Sequence, residues 1–498
     1  MSGSDIWRHN KKYDNTHSLL PHCHHPCQFD MFYISVIRFA SGPANSIVRK
    51  KEEVNCCAVK KGRKTEYKKL PSEELKKERK VCLDQYEQCQ EMGLSLDLSR
   101  GKPGKEQLAL SMDMLGVLGP RSVTDSESGM DCRNYGGLDG IPEAKRLMAE
   151  LLGVQREDVL VGGNSSLTLM HFILSHAMLD GLMGGTPWVQ VPDRKFLCPV
   201  PGYDRHFAMT EHFGFQLIPV PLREDGPDMD KVEALVSSDE SIKGIWCVPK
   251  FQNPTGIVFS NAVVRRFAAL RPKASDFRIF WDNAYCVHTL YPEDKDEQLD
   301  LLSACRTAGN PDLVYEFCST SKISFPGSGV AAIATSANNL EDIKKQLKNQ
   351  TIGYDKVNQL RHVRYFKDIH GITEHMRKHA EILRPKFEMI TDTFERELSG
   401  LGVGSWYTPK GGYFIAYETL EGCAKDVVAR MQKAGVTMTP AGAPFPYGKD
   451  PKDTVIRIAP SYPSVENLKT AIEIFVTCVK LASIKKLIAE MEAGNAAE

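Results

Sequence analysis

Several polar side chains in this 498-residue chain follow directly after short apolar runs. Asp282 directly follows the run 277–281, and Tyr285 comes three residues later. The run 314–317 is followed by a serine-rich segment that ends in Lys322. Because open α/β sheets bind ligands at the carboxyl ends of their strands, we expect these side chains to share one edge. A lysine there can bond covalently to a carbonyl carbon, and the carboxylate can hold a proton on a ligand nitrogen.

Two more runs lead into segments that suit a phosphate and a carboxylate. The run 159–161 precedes Asn164, Ser165 and Ser166 at a predicted helix start, where hydroxyls and N–H groups bind phosphate. Arg457 lies in an apolar run, and a buried arginine needs an anion such as a substrate carboxylate. Asn253 follows a further run. Together these groups match what an enzyme that uses pyridoxal 5′-phosphate (PLP) requires.

The order of these segments resembles the fold-type-I, class I/II aminotransferases. The resemblance covers roughly residue 94 to the C-terminus. Three stretches, 99–103, 135–140 and 358–362, resemble more narrowly a divergent bacterial-type subgroup of aspartate aminotransferases. The resemblance implies a large domain with a mainly parallel seven-stranded sheet between helices, and a smaller α+β domain.

The resemblance also assigns roles around the cofactor. Lys322 would form the Schiff base and move the substrate proton, while Asp282 would pair with the ring nitrogen. Tyr285 and Asn253 would contact the ring hydroxyl, and Tyr203 would stack on the ring. The phosphate would be held by side chains that the family pattern places in one cup: Asn164, Ser165, Ser166, Ser319 and Ser321.

Further positions concern the substrate and a second subunit. By the resemblance, Tyr135 would reach the phosphate of the other subunit, which implies a homodimer with shared active sites. Gly101 would lie over the substrate, next to Asn253, and Arg457 would bind its α-carboxylate. The family usually has an arginine at the position of Gly329, so this chain lacks one phosphate ligand.

The implied reaction is a ping-pong transamination, with L-aspartate as the leading donor and 2-oxoglutarate as the acceptor. A dicarboxylate needs a second cation, and the sequence leaves several candidates open: Arg100, Lys102, Arg361, His362 and Arg364. An apolar pocket would instead favour an aminotransferase for aromatic or other amino acids, or a PLP β-lyase. A non-catalytic regulator with this fold is a further alternative.

Composition narrows the partners. The net charge is zero, which favours small-molecule substrates over nucleic acid or an anionic membrane. Fourteen cysteines without regular spacing favour a reducing compartment, and we expect a cytoplasmic protein, with organellar targeting left open. The cluster of histidines and cysteines at 22–27 is too crowded for tetrahedral ligation, so no metal site is predicted.

The elements that position these residues follow from the apolar pattern. A helix is predicted from Ser72 to Gly93, a second from Pro142 to Gly153, and charged helices over 340–398. Two more strands are expected at 412–417 and 455–459. Seven short runs predict the strands of the main sheet: 159–161, 188–191, 215–220, 244–248, 277–281, 313–318 and 330–335.

The predicted domains follow from these elements. Residues 1–65 are expected to form a disordered extension, because their composition differs from that of the rest. Residues 66–115 and 341–498 would form the smaller domain, and 116–340 the large PLP-binding domain.

Overall fold

The computed structural model describes residues 64–294 and 298–495. The predicted extension 1–65, apart from its last two residues, and the histidine–cysteine cluster at 22–27 lie outside this range. The domain boundaries after residues 115 and 340 stay a prediction.

The strands are short, and those of the main sheet have mostly buried side chains. In chain order they are β1 (Leu96–Asp97), β2 (Val159–Val161), β3 (Lys195–Val200), β4 (Gln216–Arg223), β5 (Gly226–Pro227), β6 (Ile242–Cys247), β7 (Arg278–Asp282), β8 (Val314–Ser319), β9 (Ala331–Ala334), β10 (Gly404–Trp406), β11 (Ile415–Thr419), β12 (Val436–Thr437) and β13 (Val455–Ile458).

The helices alternate with the strands of the main sheet and then dominate the C-terminal part. They are α1 (Ser72–Glu91), α2 (Lys105–Ala109), α3 (Pro142–Leu152), α4 (Ser166–Leu179), α5 (Asp204–His212), α6 (Met229–Ser238), α7 (Asn261–Ala268), α8 (Leu301–Thr307), α9 (Ala337–Gln350), α10 (Lys356–Phe366), α11 (Ile369–Glu397), α12 (Ala424–Lys433) and α13 (Val465–Asn495).

The main sheet has the strand order β2-β9-β8-β7-β6-β3-β4-β5. The five strands from β8 to β4 are parallel neighbours, whereas β9 runs antiparallel to both β2 and β8. The α/β fold with a mainly parallel sheet is therefore confirmed. The predicted count of seven becomes eight, because the two-residue β5 pairs antiparallel with β4 at the edge.

One predicted strand is wrong. Residues Trp188–Gln190 form a 3₁₀ turn, and the strand is β3, a few residues later. The Trp188 ring is fully buried and its indole N–H donates to Asp276 (2.7 Å), so a buried turn imitated an apolar strand. The apolar pattern of β3 was harder to recognise because the strand contains Lys195 and Pro199. Pro199 is tolerated in this strand because only Lys195, Phe196 and Leu197 pair with β6.

The helix predictions agree with the structure at several ends. Pro142 starts α3, and Gly153 ends it in the left-handed conformation (φ 79°), which glycine adopts without a Cβ penalty. The charged stretch 340–398 is resolved into α9, α10 and α11. Ser72 does not cap α1 as expected, because it is the first helical residue and Pro71 occupies the cap.

Separate apolar clusters cover the sheet and fill the C-terminal part. Phe267 of α7 and Leu301 of α8 pack in a cluster with strands β6 and β7, whereas Met170 of α4 and Leu347 of α9 belong to another cluster with Phe280. The buried face of α1 packs with α11 and α13 around the small antiparallel sheet β10-β11-β13. The helices that pack on the main sheet therefore fix the positions of its strand ends.

One helical segment of the described chain is apolar enough to cross a bilayer by length and composition. This segment is Ser166–Gly184, with a mean hydropathy of 1.2. Half of it is buried inside the fold, where α4 packs against β8 and β9. A core helix satisfies the same criterion.

Candidate active site

A cleft opens where the parallel strands of the main sheet end. Asp282 is the last residue of β7 and Ser319 the last of β8, and these strands are neighbours. Lys322 follows β8 in a 3₁₀ turn. The lining consists mainly of polar groups that the sequence had singled out: Ser165, Ser166, Leu167, Tyr203, Val248, Asn253, Asp282, Ala284, Tyr285, Ser319, Ser321 and Lys322.

Lys322 lies against Tyr285 in this cleft. Its Nζ is 4.6 Å from the centroid of the Tyr285 ring. Burial, and next the nearby carboxylate of Asp282, raise the pKa of Tyr285 well above its usual value. The phenol of Tyr285 therefore stays protonated and can donate a hydrogen bond, while the Lys322 amine remains accessible from the cleft.

Asp282 is held by a histidine that sequence reasoning missed. The Nε2–H of His206 donates to Asp282 Oδ2 (3.0 Å), and both side chains are buried. His206 in turn stacks on Trp246, with ring centroids 4.3 Å apart. Asp282 Oδ1 is buried and has no hydrogen-bond partner among the described residues. An unpaired carboxylate oxygen in a cleft wall calls for a ligand N–H donor.

His206 could have been found from its spacing. It lies three residues after Tyr203, in the first turn of α5, so both side chains face the same way. Their rings contact edge to face, with centroids 4.9 Å apart. Tyr203 lines the cleft, and burial raises its pKa to about 12.

A cup of hydroxyl groups lies at the start of α4. Ser165 is the residue before the helix, and its hydroxyl makes no capping bond. The backbone N–H of Thr168 donates to Ser165 O (3.1 Å), so the N–H groups of Ser166 and Leu167 are the ones that suit an anion. The hydroxyls of Ser319 and Ser321 are 2.8 Å apart, and both donate to the carbonyl oxygen of Asn164 (2.9 and 2.8 Å). The Asn164 side chain instead donates to Pro326 O (3.3 Å) and does not take part in the hydroxyl cup, where it was predicted to bind the phosphate.

The missing arginine has a steric explanation. A Cβ at Gly329 would lie 2.9 Å from both the backbone N and the Oγ of Ser321. The loop at Gly329 therefore packs directly against the cup and has no room for a side chain. Arg361 of α10 contacts Ser328 in the same loop.

Arg457 lies beside the cleft on β13. Its Nη1 donates to Asn253 Oδ1 (3.3 Å), and its guanidinium is 4.9 Å from the centroid of the Phe414 ring. Phe414 also touches Gly101, where a Cβ would lie 2.4 Å from the ring. Gly101, Asn253 and Arg457 line one wider cleft that Lys322 also lines.

The candidates for a second cation divide into two groups. Arg100 and Lys102 line the wider cleft, together with three residues that the sequence analysis missed: His171, Arg205 and His212. The candidates on α10 do not line it within this chain. His362 is buried, and burial lowers its pKa to about 4, so it is neutral. Arg364 donates to the backbone of Val123.

Tyr135 is 81% exposed and does not line the cleft of its own chain. Nearby positions are also apolar and exposed. Lys356 donates to Gly136 O (2.7 Å), which joins the loop of Tyr135 to the start of α10, where Ile352 and Val357 are exposed.

The cleft fits PLP in its groups and their order. The unpaired Asp282 Oδ1 suits a protonated ring nitrogen, the α4 N-terminus with its hydroxyls suits a phosphate, and Lys322 suits an aldehyde carbon. The three groups lie in one continuous lining.

Comparison with known proteins gives a consistent result. Residues 70–491 match the aspartate amino-transferase family. The chain is 43% identical over 399 residues to an aspartate aminotransferase of Corynebacterium glutamicum, covering 80% of this chain and 92% of that protein. The crystal structure of an aspartate transaminase from C. glutamicum superposes with a TM-score of 0.83 at 41% identity, covering 85% of this chain and 99% of the other.

A more distant structure shares the fold alone. It is an alpha-aminoadipate aminotransferase from Thermus thermophilus, complexed with N-(5′-phosphopyridoxyl)-L-leucine. Its TM-score is 0.62 at 20% identity, covering 79% of this chain and 93% of the other.

Proposed function

Because the chain belongs to the aspartate amino-transferase family, we propose that it transfers the amino group of L-aspartate to 2-oxoglutarate in a PLP-dependent, ping-pong reaction. The observation that supports this proposal is that Lys322 and Asp282, whose Oδ1 has no partner among the described residues, line the same cleft. That the chain is an aminotransferase follows from the family; the substrates and the residue roles are proposed.

When bound, PLP supplies an electron-accepting ring that stabilises negative charge at the substrate Cα. Asp282, oriented by His206, would hold a proton on the ring nitrogen. The protonated Tyr285 would donate to the ring hydroxyl oxygen. Lys322 would hold the cofactor through its amine and would act as the base that takes the proton from the substrate Cα.

Arg457 binds the substrate α-carboxylate. It is buried against Phe414 and lies next to Asn253, so both a charge and a hydrogen-bond partner face the same part of the cleft. Planar guanidinium groups bind carboxylates in bidentate fashion. The side-chain carboxylate of a dicarboxylate meets the second cation at the wider cleft, for which Arg100 and Lys102 are the predicted candidates that line it.

We propose further that the protein is a homodimer in which Tyr135 completes the phosphate site of the partner subunit. Tyr135 has no place in the cleft of its own chain, and exposed apolar residues surround it. A symmetric dimer places the same face of each subunit against the other.

Absorption spectra of the purified protein with PLP test the proposed function. The wild type should show the band of covalently bound cofactor, and L-aspartate should convert it to the amine form. Lys322→Ala should lack the band, whereas Lys345→Ala, on the exposed face of α9, should keep it. A band that ignores aspartate but responds to another amino acid would reassign the substrate, and the absence of any band would contradict the cofactor site.

A further inference from the structure

Arg457 has an anionic partner within its own chain. Its Nη1 donates to Asp204 Oδ1 at 2.8 Å, and the two form an ion pair. The side chain of Arg457 is 7% exposed and that of Asp204 is 34% exposed. Both residues line the wider cleft, so the pair faces the space that the substrate must enter.

The other contacts of the guanidinium are neutral. Nε and Nη2 both donate to Thr439 Oγ1 (3.3 Å each), and Nη1 also donates to Asn253 Oδ1. Asp204 is therefore the one anion paired with Arg457 among residues 64–294 and 298–495. A carboxylate ligand that accepts hydrogen bonds from the guanidinium of Arg457 competes with Asp204 for Nη1.

From this arrangement we propose that Asp204 is an internal counter-ion that the substrate α-carboxylate displaces, and that it thereby sets the affinity of the site for carboxylate ligands. The proposal rests on the assignment of Arg457 as the carboxylate-binding residue. It makes Asp204 a residue that sets the affinity of the site for the α-carboxylate that all amino-acid substrates share.

Burial explains why such a counter-ion is present. A buried guanidinium without an anion carries a large desolvation cost, which Asp204 offsets until a carboxylate ligand binds. Asp204 is also the first residue of α5, where the helix N-terminus favours a negative charge. Since a third of its surface is exposed, the displaced carboxylate can turn towards water at little cost.

The exchange has a consequence for binding. Each carboxylate ligand must break the pair between Asp204 and Arg457, so its measured affinity is lower than the contact with Arg457 alone would give. Removing the charge on Asp204 should therefore strengthen carboxylate binding. A residue that merely held Arg457 in place would have the opposite effect when changed.

The test measures the dissociation constant of succinate, a dicarboxylate that cannot react, on the holoenzyme by calorimetry. Asp204→Asn keeps the size of the side chain and removes its charge, and we expect succinate to bind about 10-fold more tightly, as a weakened competing charge pair allows. Asp204→Ser should shift the constant in the same direction. Steady-state assays should show a lower KM for L-aspartate and 2-oxoglutarate without a higher kcat.

Two further variants separate the possible failures. Asp230 forms an ion pair with Arg266 on the protein surface. Asp230→Asn removes this carboxylate and should leave succinate binding unchanged. Arg457→Gln should weaken it strongly. If Arg457→Gln has no effect, the assignment of Arg457 fails and this inference with it. If Arg457→Gln weakens binding but both Asp204 variants leave it unchanged or weaken it, the counter-ion role alone is overturned.

Discussion

Asp282 divides its two oxygens between two tasks. One oxygen accepts from His206, whose ring is fixed by its stack on Trp246, and the other is buried without a partner among the described residues. A buried carboxylate oxygen without a hydrogen-bond partner costs free energy, and a ligand N–H that donates to this oxygen would remove that cost. The carboxylate is thus oriented before the cofactor arrives, which is what an electrostatic role requires.

A prediction at the same scale concerns Gly329. Gly329→Ala places a methyl group 2.9 Å from Ser321, so the loop or the cup must move. We expect weaker PLP binding and a loss of stability of about 1–3 kcal/mol, which is typical of overpacking. Absorbance titration with PLP and thermal unfolding measure the two effects.

Gly327→Ala is the matched control for that change. It lies two residues earlier in the same loop, and a Cβ there has nothing within 4 Å. Its effect on stability should stay within about 0.5 kcal/mol. Equal effects of the two substitutions would contradict the steric reason given for the missing arginine.

At the scale of elements, strand ends carry the site and helices fix it. Lys322, Asp282 and Tyr285 could be placed together from the sequence because parallel strands end at one edge, whatever their order. Asp204 was missed because its part in the site depends on how α5 packs, which no local pattern encodes, whereas the spacing of His206 from Tyr203 was a local signal. The candidates on α10 lie outside the cleft. The sequence could not exclude them, because the apolar spacing of α10 does not show which of its polar side chains face the loop at Gly329.

A second prediction belongs to the contact between β8 and α8. Glu316 is buried on β8, and its Oε1 accepts from the backbone N–H of Leu302 at the start of α8 (3.0 Å). Burial, and next the carboxylate of Asp300, raise the pKa of Glu316 well above its usual value. The folded protein therefore keeps this carboxyl protonated at pH values where the unfolded chain has released the proton.

The sign of the pH dependence follows from that difference. The contribution of Glu316 to stability is complete below the ordinary pKa of glutamate, about 4.3, and is lost as the pH rises towards the folded value. Glu316→Gln, which keeps the acceptor for Leu302 and cannot ionise, should gain stability relative to the wild type between about pH 5 and pH 8. Thermal unfolding at both pH values measures this gain. Glu418→Gln, on the exposed side of β11, should show none.

At the scale of the whole molecule, the cleft is formed from distant parts of the chain. Gly101 lies near the start of the described chain and Arg457 near its end, yet Phe414 contacts both. The packing of α1 with α13 brings the two ends together. The substrate side of the site therefore depends on the whole fold, whereas the cofactor side depends on the strand ends of the main sheet and on the starts of α4 and α5.

The proposed dimer gives a prediction at this scale. Lys322→Ala and Tyr135→Ala should each be nearly inactive, but a refolded mixture should recover activity, because each hybrid contains one site with both residues intact. Random pairing of symmetric dimers predicts about one quarter of the wild-type activity. A mixture of Lys322→Ala with Asp282→Ala should recover none, since both residues belong to the same chain's cleft. Absence of recovery in the first mixture would contradict the shared site.

The stack of Trp246 on His206 also gives the molecule an optical reporter. Indole emission is quenched by a neighbouring imidazole when it becomes charged, and by energy transfer to a chromophore that absorbs at the emission wavelength. Trp246 is coupled through His206 to Asp282, the carboxylate that faces the cofactor site. Its fluorescence should therefore fall as the cleft fills, which allows cofactor loading to be followed in real time without any added label.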